Sequence, residues 1–161
     1  FRSLFNKDFH RSQTRFYNAA LNYAYAVVRA SIARTLAGYG FLPAFGLFHH
    51  SEQNNFNLAD DLFEPYRPLV DAWVLRHYPE EPDRELEPAD KGRLVALLHE
   101  DVTLSSHSAS SEDGGRCTML AAVDATVSGL SSIVLQGAVH DRLALPELGD
   151  DKTKAEPVDK P

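Results

Sequence analysis

The stretch FNLADDLFEPYRPLVDAW, residues 56–73, combines a helical pattern with a dense set of charges. Its apolar residues recur at helical spacing and predict a helix that begins near Leu58; they are Leu58, Leu62, Pro65, Leu69 and Trp73. Pro65 and Pro68 lie inside this pattern, so the helix should kink or restart there. The stretch therefore predicts a buried helix that is broken close to its carboxylates.

Three further helical patterns surround this stretch. The first covers residues 18–37, with Asn18 as the expected N-cap and Gly38 as the expected stop. The second covers residues 89–100 and the third residues 117–135, a helix that would begin at Cys117. The fold class predicted from these patterns is mostly α.

The remaining segments lack a hydrophobic period. Residues 102–116 are rich in Ser and Gly, which predicts a mobile loop. From residue 149 onward the chain mixes Asp, Lys, Glu and Pro, which is typical of disorder. We therefore predict one helical domain over residues 1–148 and a disordered polar tail over residues 149–161.

The charge of the chain is unevenly distributed. The net charge is −7, yet residues 1–38 hold six basic side chains against one acidic one, a balance of +5. The remaining residues hold 10 basic and 22 acidic side chains, a balance of −12. A basic front half could contact phosphates, or it could be an ordinary solvated helix face; charge alone does not decide between them.

The composition also indicates the cellular compartment in which the protein works. No stretch reaches the ~20 apolar residues that a membrane span needs, so no membrane association is expected. Cys117 is the single cysteine and cannot form an internal disulfide, which suits a reducing compartment. We therefore expect a cytoplasmic protein.

Three carboxylates lie in the first half of the helix predicted for residues 56–73. If Asn57 is the N-cap, Asp60 occupies the N3 position and can accept backbone N–H groups, which favours a structural role. Asp61 shares part of the helix-dipole effect and stays ambiguous. Glu64 lies nearly two turns in, where it could form an exposed pair with Arg67 or join a carboxylate cluster around a divalent cation.

His49 and His50 end an apolar connection just before the same helix. Adjacent side chains point in different directions, so at most one of the two should face the carboxylates. A histidine in this position could be an ion partner for those carboxylates. It could equally bind Mg²⁺ or Mn²⁺ together with them, as in nucleases, and the residues alone leave both interpretations open.

Over about its first 76 residues the chain resembles the CRISPR-associated endonuclease/integrase family called Cas-one, in its type II form. The closing segment LALPEL, residues 143–148, is also similar to the end of that family. The resemblance is carried by four ordered stretches: LFNKDF (4–9), NAALNYAY (18–25), FGLFH (45–49) and FNLADDLFEPYRPLVD (56–71).

The resemblance implies a helical catalytic domain whose metal ion, Mg²⁺ or Mn²⁺, is held by a glutamate, a histidine and a second acidic residue. The histidine falls on His49 and the second acid on Glu64, so these two are the expected catalytic and metal-binding residues. Asp61 matches a secondary acidic position at the edge of the site. The first glutamate would precede Phe1, so we expect a fragment that lacks the family's N-terminal β-domain and is inactive alone.

The implied activity is the insertion of new spacers into a CRISPR array by transesterification at phosphodiesters. The implied partners are protospacer and repeat DNA, a second copy in a homodimer, and a small ferredoxin-like adaptation subunit, Cas-two. The residues expected to neutralise DNA phosphates are Arg15, Arg29, Arg34 and Arg67. Two alternatives stay open: a non-catalytic helical DNA-binding or scaffold fragment, and a metal-dependent nuclease outside adaptation.

Overall fold

The computed structural model of the chain describes residues 15–79, 84–105, 115–136 and 143–147. The predicted tail (149–161), the stretch 4–9 and the middle of the predicted loop (102–116) lie outside these ranges. Five helices and a small sheet make up the described part, and the prediction of a mostly α fold is confirmed.

The first helix, α1 (Arg15–Gly38), is the centre of the core and packs against each of the other four helices. Its alanine-rich sequence contains no proline, and its predicted apolar stripe faces inward. It begins three residues before Asn18, so the predicted N-cap is wrong. It is closed by Gly40 rather than Gly38, because Gly40 adopts a φ of 84° and the Phe41 N–H bonds the Leu36 carbonyl at 2.9 Å, as in a Schellman motif.

The stretch that follows is broken at its prolines as predicted. Helix α2 (Asn57–Phe63) leads into a 3₁₀ turn (Glu64–Tyr66), and α3 (Arg67–His77) restarts directly after it. Each proline lies in the first turn of its segment, where a missing N–H costs no hydrogen bond. The break places Glu64 at the junction between two helix axes.

The second half of the fold is partly β-structure. Helix α4 (Pro88–Ala96) and a 3₁₀ turn (Leu97–His99) precede three short antiparallel strands, β1 (Asp101–Ser105), β2 (Arg116–Thr118) and β3 (Leu145–Glu147), in the order β2-β1-β3. The prediction of a loop over 102–116 is therefore wrong at both ends. The last helix, α5 (Met119–Gln136), begins after Cys117, which pairs with Val102 in the sheet instead of starting a helix.

The hydrophobic core lies between α1 and the helices that surround it, with α5 covering the sheet. Within the ranges that the structure describes, no helix has the length and apolar character that crossing a membrane would require. The arrangement leaves one face of α1 open next to the turn between α1 and α2, and the candidate site lies there.

Candidate metal and nucleic-acid site

The connection between α1 and α2 is fixed by one carboxylate, that of Asp61. Its Oδ2 accepts the backbone N–H groups of Leu47 and, at 2.9 Å, of Phe48. Its Oδ1 accepts the backbone N–H of His49 at 3.1 Å and lies 2.5 Å from the Nδ1 atom of the same residue. The Asp61 side chain is 3% exposed, so it is an internal anchor for the loop.

These contacts decide the ionisation of Asp61. Burial raises the pKa of this carboxyl, but the hydrogen bonds from the Phe48 N–H, the His49 ring and the Leu47 N–H together lower it below its usual value. Asp61 is therefore ionised at neutral pH, and its charge is spread over four donors.

His49 receives its orientation from Asp61. With Nδ1 bonded to the carboxylate, the other ring nitrogen, Nε2, is the one available to a ligand. The side chain is about half exposed, so a ligand can reach it. A carboxylate behind a histidine is the usual arrangement of metal-binding histidines in proteins, and this supports the metal interpretation of His49 over a simple ion pair.

Gly46 permits the close approach of this loop to α2. A Cβ atom at this position would lie 2.3 Å from the His49 carbonyl oxygen, 2.8 Å from Asn57 Cβ and 2.9 Å from Asp61 Oδ2.

We expect Gly46→Ala to lower the free energy of unfolding by about 2 kcal/mol, because the backbone must shift to relieve the overlap. The matched control is Gly92→Ala in α4, where nothing lies within 4 Å of the added atom and a gain of roughly 0.5–1 kcal/mol is expected. Urea unfolding of both variants measures the difference, and equal stabilities would contradict this account.

A cleft of about 360 Å³ opens beside His49, between α1 and the α2–α3 segment. Arg29 from α1 and Arg67 from α3 both line it, so two of the four predicted phosphate-binding residues share the cleft with the predicted ligand. Arg67 lies over the rings of Tyr25 (5.5 Å) and Phe63 (5.3 Å), contacts that hold its guanidinium in place. The cleft offers positive charge and a histidine at one surface, a combination that suits a phosphodiester.

Asp60 also lines this cleft, but its role differs from the predicted one. The N-cap position of α2 is held by Phe56, so the capping interpretation of Asp60 is wrong. Asp60 instead pairs with Arg29 (Nε–Oδ1 2.5 Å) and accepts a hydrogen bond from Asn54 Nδ2 at 2.7 Å. It joins α1 to α2 and fixes the Arg29 side chain at the edge of the cleft.

Glu64 lies at the junction of α2 and α3, with half of its side chain exposed. Its Oε1 is 3.1 Å from Arg67 Nε, so Arg67 connects it to the cleft. Within the described ranges, no group of three or more His, Cys, Asp or Glu side chains is arranged to hold a metal ion. The assignment of His49 and Glu64 as a pair of metal ligands therefore stays a prediction. Asp61 is bonded to His49.

The two other predicted DNA-binding arginines lie elsewhere on α1. Arg15 lines a separate groove formed with α4, together with Lys91. Arg34 is exposed and lines neither this groove nor the cleft of His49. Of the four arginines, the structure brings only Arg29 and Arg67 to His49.

Sequence reasoning missed two side chains of the site. Tyr25 lines the cleft and its hydroxyl donates to the buried Asp71 carboxylate. Asn54 accepts a hydrogen bond from Arg29 at 3.0 Å and also bonds Asp60. Neither carries a charge, and the contacts of Tyr25 with Asp71 and of Asn54 with Arg29 join residues 46 and 25 positions apart, so the local pattern holds no signal for these two contacts.

Comparison with known proteins shows which family the chain belongs to. Residues 4–83 match the family model described as CRISPR associated protein Cas1. The CRISPR-associated endonuclease Cas1 of Neisseria meningitidis serogroup C (strain 8013) is 44% identical over 153 residues, which cover 92% of this chain and 46% of the relative. Cas1 of Korarchaeum cryptofilum (strain OPF8) is 33% identical over 60 residues, or 37% of this chain and 18% of the relative.

A third relative, the CRISPR-associated endonuclease Cas1 1 of Pyrobaculum aerophilum, is 37% identical over 62 residues, or 38% of this chain and 20% of the relative. The chain thus spans less than half the length of these curated relatives. The matched residues include His49, Asp61, Glu64 and both cleft arginines. The chain belongs to the Cas1 family of CRISPR-associated proteins.

Proposed function

We propose that this chain forms the helical part of a metal-dependent DNA endonuclease/integrase of CRISPR adaptation. The observation that carries the proposal is the His49 ring, which Asp61 holds by Nδ1 at the edge of a cleft lined by Arg29 and Arg67. The similarity to relatives that are named CRISPR-associated endonucleases supports the same class of activity.

The residues present suit Mg²⁺ or Mn²⁺. An imidazole nitrogen from His49 and a carboxylate oxygen from Glu64, with water in the other positions, form a donor set of the kind that these cations accept. The free Nε2 atom of His49 and the half-exposed carboxylate of Glu64 are both accessible to an ion. A cation bound there would polarise the phosphate and stabilise charge on the entering and leaving oxygens.

The side chains around this pair have separate tasks. Arg29 and Arg67 would bind the non-bridging oxygens of the target phosphodiester, and Asp61 would keep the His49 ring in one orientation. In the transesterification a DNA 3′ oxygen forms a bond to phosphorus and the bond from phosphorus to the leaving 3′ oxygen breaks. The attacking hydroxyl loses its proton to water and the leaving oxygen takes one up, so no covalent enzyme intermediate is needed.

The partners follow from the same proposal. We propose that the protein acts in the cytoplasm on protospacer and repeat DNA, as a homodimer that also binds the small ferredoxin-like subunit Cas-two. The groove lined by Arg15 of α1 and Lys91 of α4 offers positive charge for further DNA contacts.

The experiment that tests the function uses the full-length protein that contains this helical part, supplied with a DNA end and a plasmid that carries the repeat. We expect joining with a 3′-hydroxyl end, and none with a 3′-deoxy end, because the hydroxyl is the nucleophile. EDTA should abolish joining, and Mg²⁺ or Mn²⁺ should restore it.

The same assay separates the alternatives. Cutting without joining would favour a nuclease outside adaptation. DNA binding without cutting or joining, at any metal concentration, would favour a scaffold role.

A further inference from the structure

Two buried hydroxyl groups connect the turn that carries Glu64 to the core. Tyr66 is the last residue of this 3₁₀ turn and is 0% exposed. Its hydroxyl oxygen lies 2.8 Å from the Oγ1 atom of Thr126 in α5, which is 1% exposed. The Thr126 Oγ1 atom also lies 2.6 Å from the carbonyl oxygen of Ala144, the residue directly before β3. The Tyr66–Thr126 hydroxyl pair therefore joins the turn to α5 and to the start of β3.

The number of protons fixes the direction of these hydrogen bonds. The single hydroxyl proton of Thr126 has two carbonyl acceptors within reach, Ala144 at 2.6 Å and Ala122 at 3.0 Å. Because a carbonyl can only accept, Thr126 donates to it, and the Tyr66 hydroxyl donates to the Thr126 oxygen. Burial raises the pKa of Tyr66 to about 12, so this donor keeps its proton at neutral pH.

Thr126 lies in the buried face of α5, where its neighbours are apolar. Val123 and Val127 on the same face are both 0% exposed, and a valine at position 126 would have nearly the shape of threonine. A buried hydroxyl without a partner costs free energy, so Thr126 is tolerated here because Tyr66 and Ala144 satisfy it. A hydrogen bond is directional, whereas apolar contacts allow sliding, so the hydroxyl pair holds the turn in one position on α5.

Tyr66 lies between two residues of the candidate site. Glu64 is two positions before it, and Arg67 follows it directly. The Arg67 N–H bonds the Glu64 carbonyl, and the Arg67 Nε atom lies 3.1 Å from Glu64 Oε1. Half of the Glu64 side chain is exposed, so its own contacts hold it weakly. A shift of Tyr66 would therefore move the backbone of both Glu64 and Arg67.

We propose that Tyr66 and Thr126 are positioning residues for the candidate metal site. Their hydrogen-bonded hydroxyls hold the turn so that Glu64 stays beside Arg67, which lines the cleft of His49. The Ala144 carbonyl completes the arrangement by accepting the Thr126 proton, which gives the start of β3 a role in the site. The inference rests on the proposed function, since it acts through Glu64 as a metal ligand.

The test compares the full-length protein with its Tyr66→Phe variant, which loses one oxygen atom and keeps the ring. Mn²⁺ affinity is measured without DNA, from the loss of the electron paramagnetic resonance signal of free Mn²⁺. The joining rate is measured separately at saturating Mn²⁺ and DNA, at a temperature at which both proteins are folded. We expect the affinity to fall about tenfold and the saturated rate to fall on the order of tenfold, because Glu64 and Arg67 are misplaced.

The matched control is Tyr17→Phe. Tyr17 is 8% exposed and its hydroxyl donates to the Tyr78 carbonyl, so this variant also removes a buried tyrosine hydroxyl. Tyr17 does not line the cleft of His49. Both variants should unfold at a lower urea concentration than wild type, but only Tyr66→Phe should bind Mn²⁺ more weakly. An equal loss of Mn²⁺ affinity in both variants would show general loosening of the fold and overturn the inference.

Thr126 provides a conservative rescue. Thr126→Val leaves the Tyr66 hydroxyl without its acceptor and should weaken Mn²⁺ binding at least as much as Tyr66→Phe does. Thr126→Ser keeps the oxygen atom and should bind Mn²⁺ like wild type. The double variant Tyr66→Phe/Thr126→Val should be no weaker than Thr126→Val alone, because the two hydroxyls act as one unit. Independent losses that multiply in the double variant would contradict the pairing.

The outcomes separate this inference from the proposed function. If Tyr66→Phe binds Mn²⁺ and joins DNA like wild type while Glu64→Ala loses both, the positioning role is wrong and the function stands. If Glu64→Ala retains Mn²⁺ binding and joining, the function itself is wrong. The hydroxyl pair then has no ligand to position, and the inference falls with the function.

Discussion

Replacement of Glu64 by alanine is expected to reduce DNA joining on the order of 10³-fold, because a lost metal ligand removes several kcal/mol of transition-state stabilisation. Its effect on stability should be small. Half of the side chain is exposed and its pair with Arg67, at 3.1 Å, joins residues three apart, a contact worth about 0.2–0.5 kcal/mol. Joining rates and urea unfolding of the same preparations measure both quantities.

The chain offers a matched control for this prediction. Asp101 pairs with Arg116 at 3.0 Å and is similarly exposed, but neither residue lines the cleft beside His49. Asp101→Ala should therefore change stability as little as Glu64→Ala does, and leave joining intact. Equal activities of the two variants would show that Glu64 is a surface residue and that the ligand assignment is wrong.

Elements with a strong helical period were predictable from the sequence, and their ends were not. Helix α1 begins three residues early because Phe16 and Tyr17 are buried, with the Phe16 ring 5.0 Å from that of Tyr78. That contact joins residues 62 positions apart, so it leaves no local signal at the helix start. Strands β1 and β2 were missed for the same reason, since Val102 pairs with Cys117 across a Ser/Gly-rich segment.

The same distinction between what the sequence predicts and what it does not applies to the candidate site. Its residue types were predictable, because carboxylates and histidines near a broken helix stand out in the sequence. Their partners were not: Asp61 contacts Leu47, Phe48 and His49 only because the loop folds back over α2. The pairing of Asp60 with Arg29 spans 31 residues, and a local capping rule cannot anticipate it.

Replacement of Asp61 by alanine is expected to affect stability and activity together. Three backbone N–H groups lose their acceptor, which should cost about 3 kcal/mol of unfolding free energy. The His49 ring loses the contact that orients it, and loss of such a partner lowers metal affinity about 10–100-fold. We therefore expect the folded protein to need a correspondingly higher Mn²⁺ concentration for joining, which a metal titration at fixed DNA concentration measures.

The control for Asp61 is Asp90, a buried carboxylate in α4 that does not line the cleft beside His49. Asp90 accepts hydrogen bonds from Arg84 at 2.6 Å and from the Glu87 N–H at 3.0 Å. Asp90→Ala should lose about 2–3 kcal/mol of stability with no change in the Mn²⁺ requirement. A raised Mn²⁺ requirement in both variants would mean that general loosening of the fold, not the lost Asp61–His49 contact, explains the effect.

The pH dependence of stability provides an independent check on Asp61. Its pKa is lowered below the ordinary value of 3.8 in the folded protein, so the unfolded chain binds the proton first as the pH falls. The stability that Asp61 contributes is therefore fully present above pH ~4 and is lost as the pH drops through the folded-state pKa. The difference in unfolding free energy between wild type and Asp61→Ala should be largest near neutral pH and shrink below pH 3.8. If the difference is the same at pH 7 and pH 3, the ionised carboxylate is not what holds the loop, and the account of how His49 is oriented fails with it.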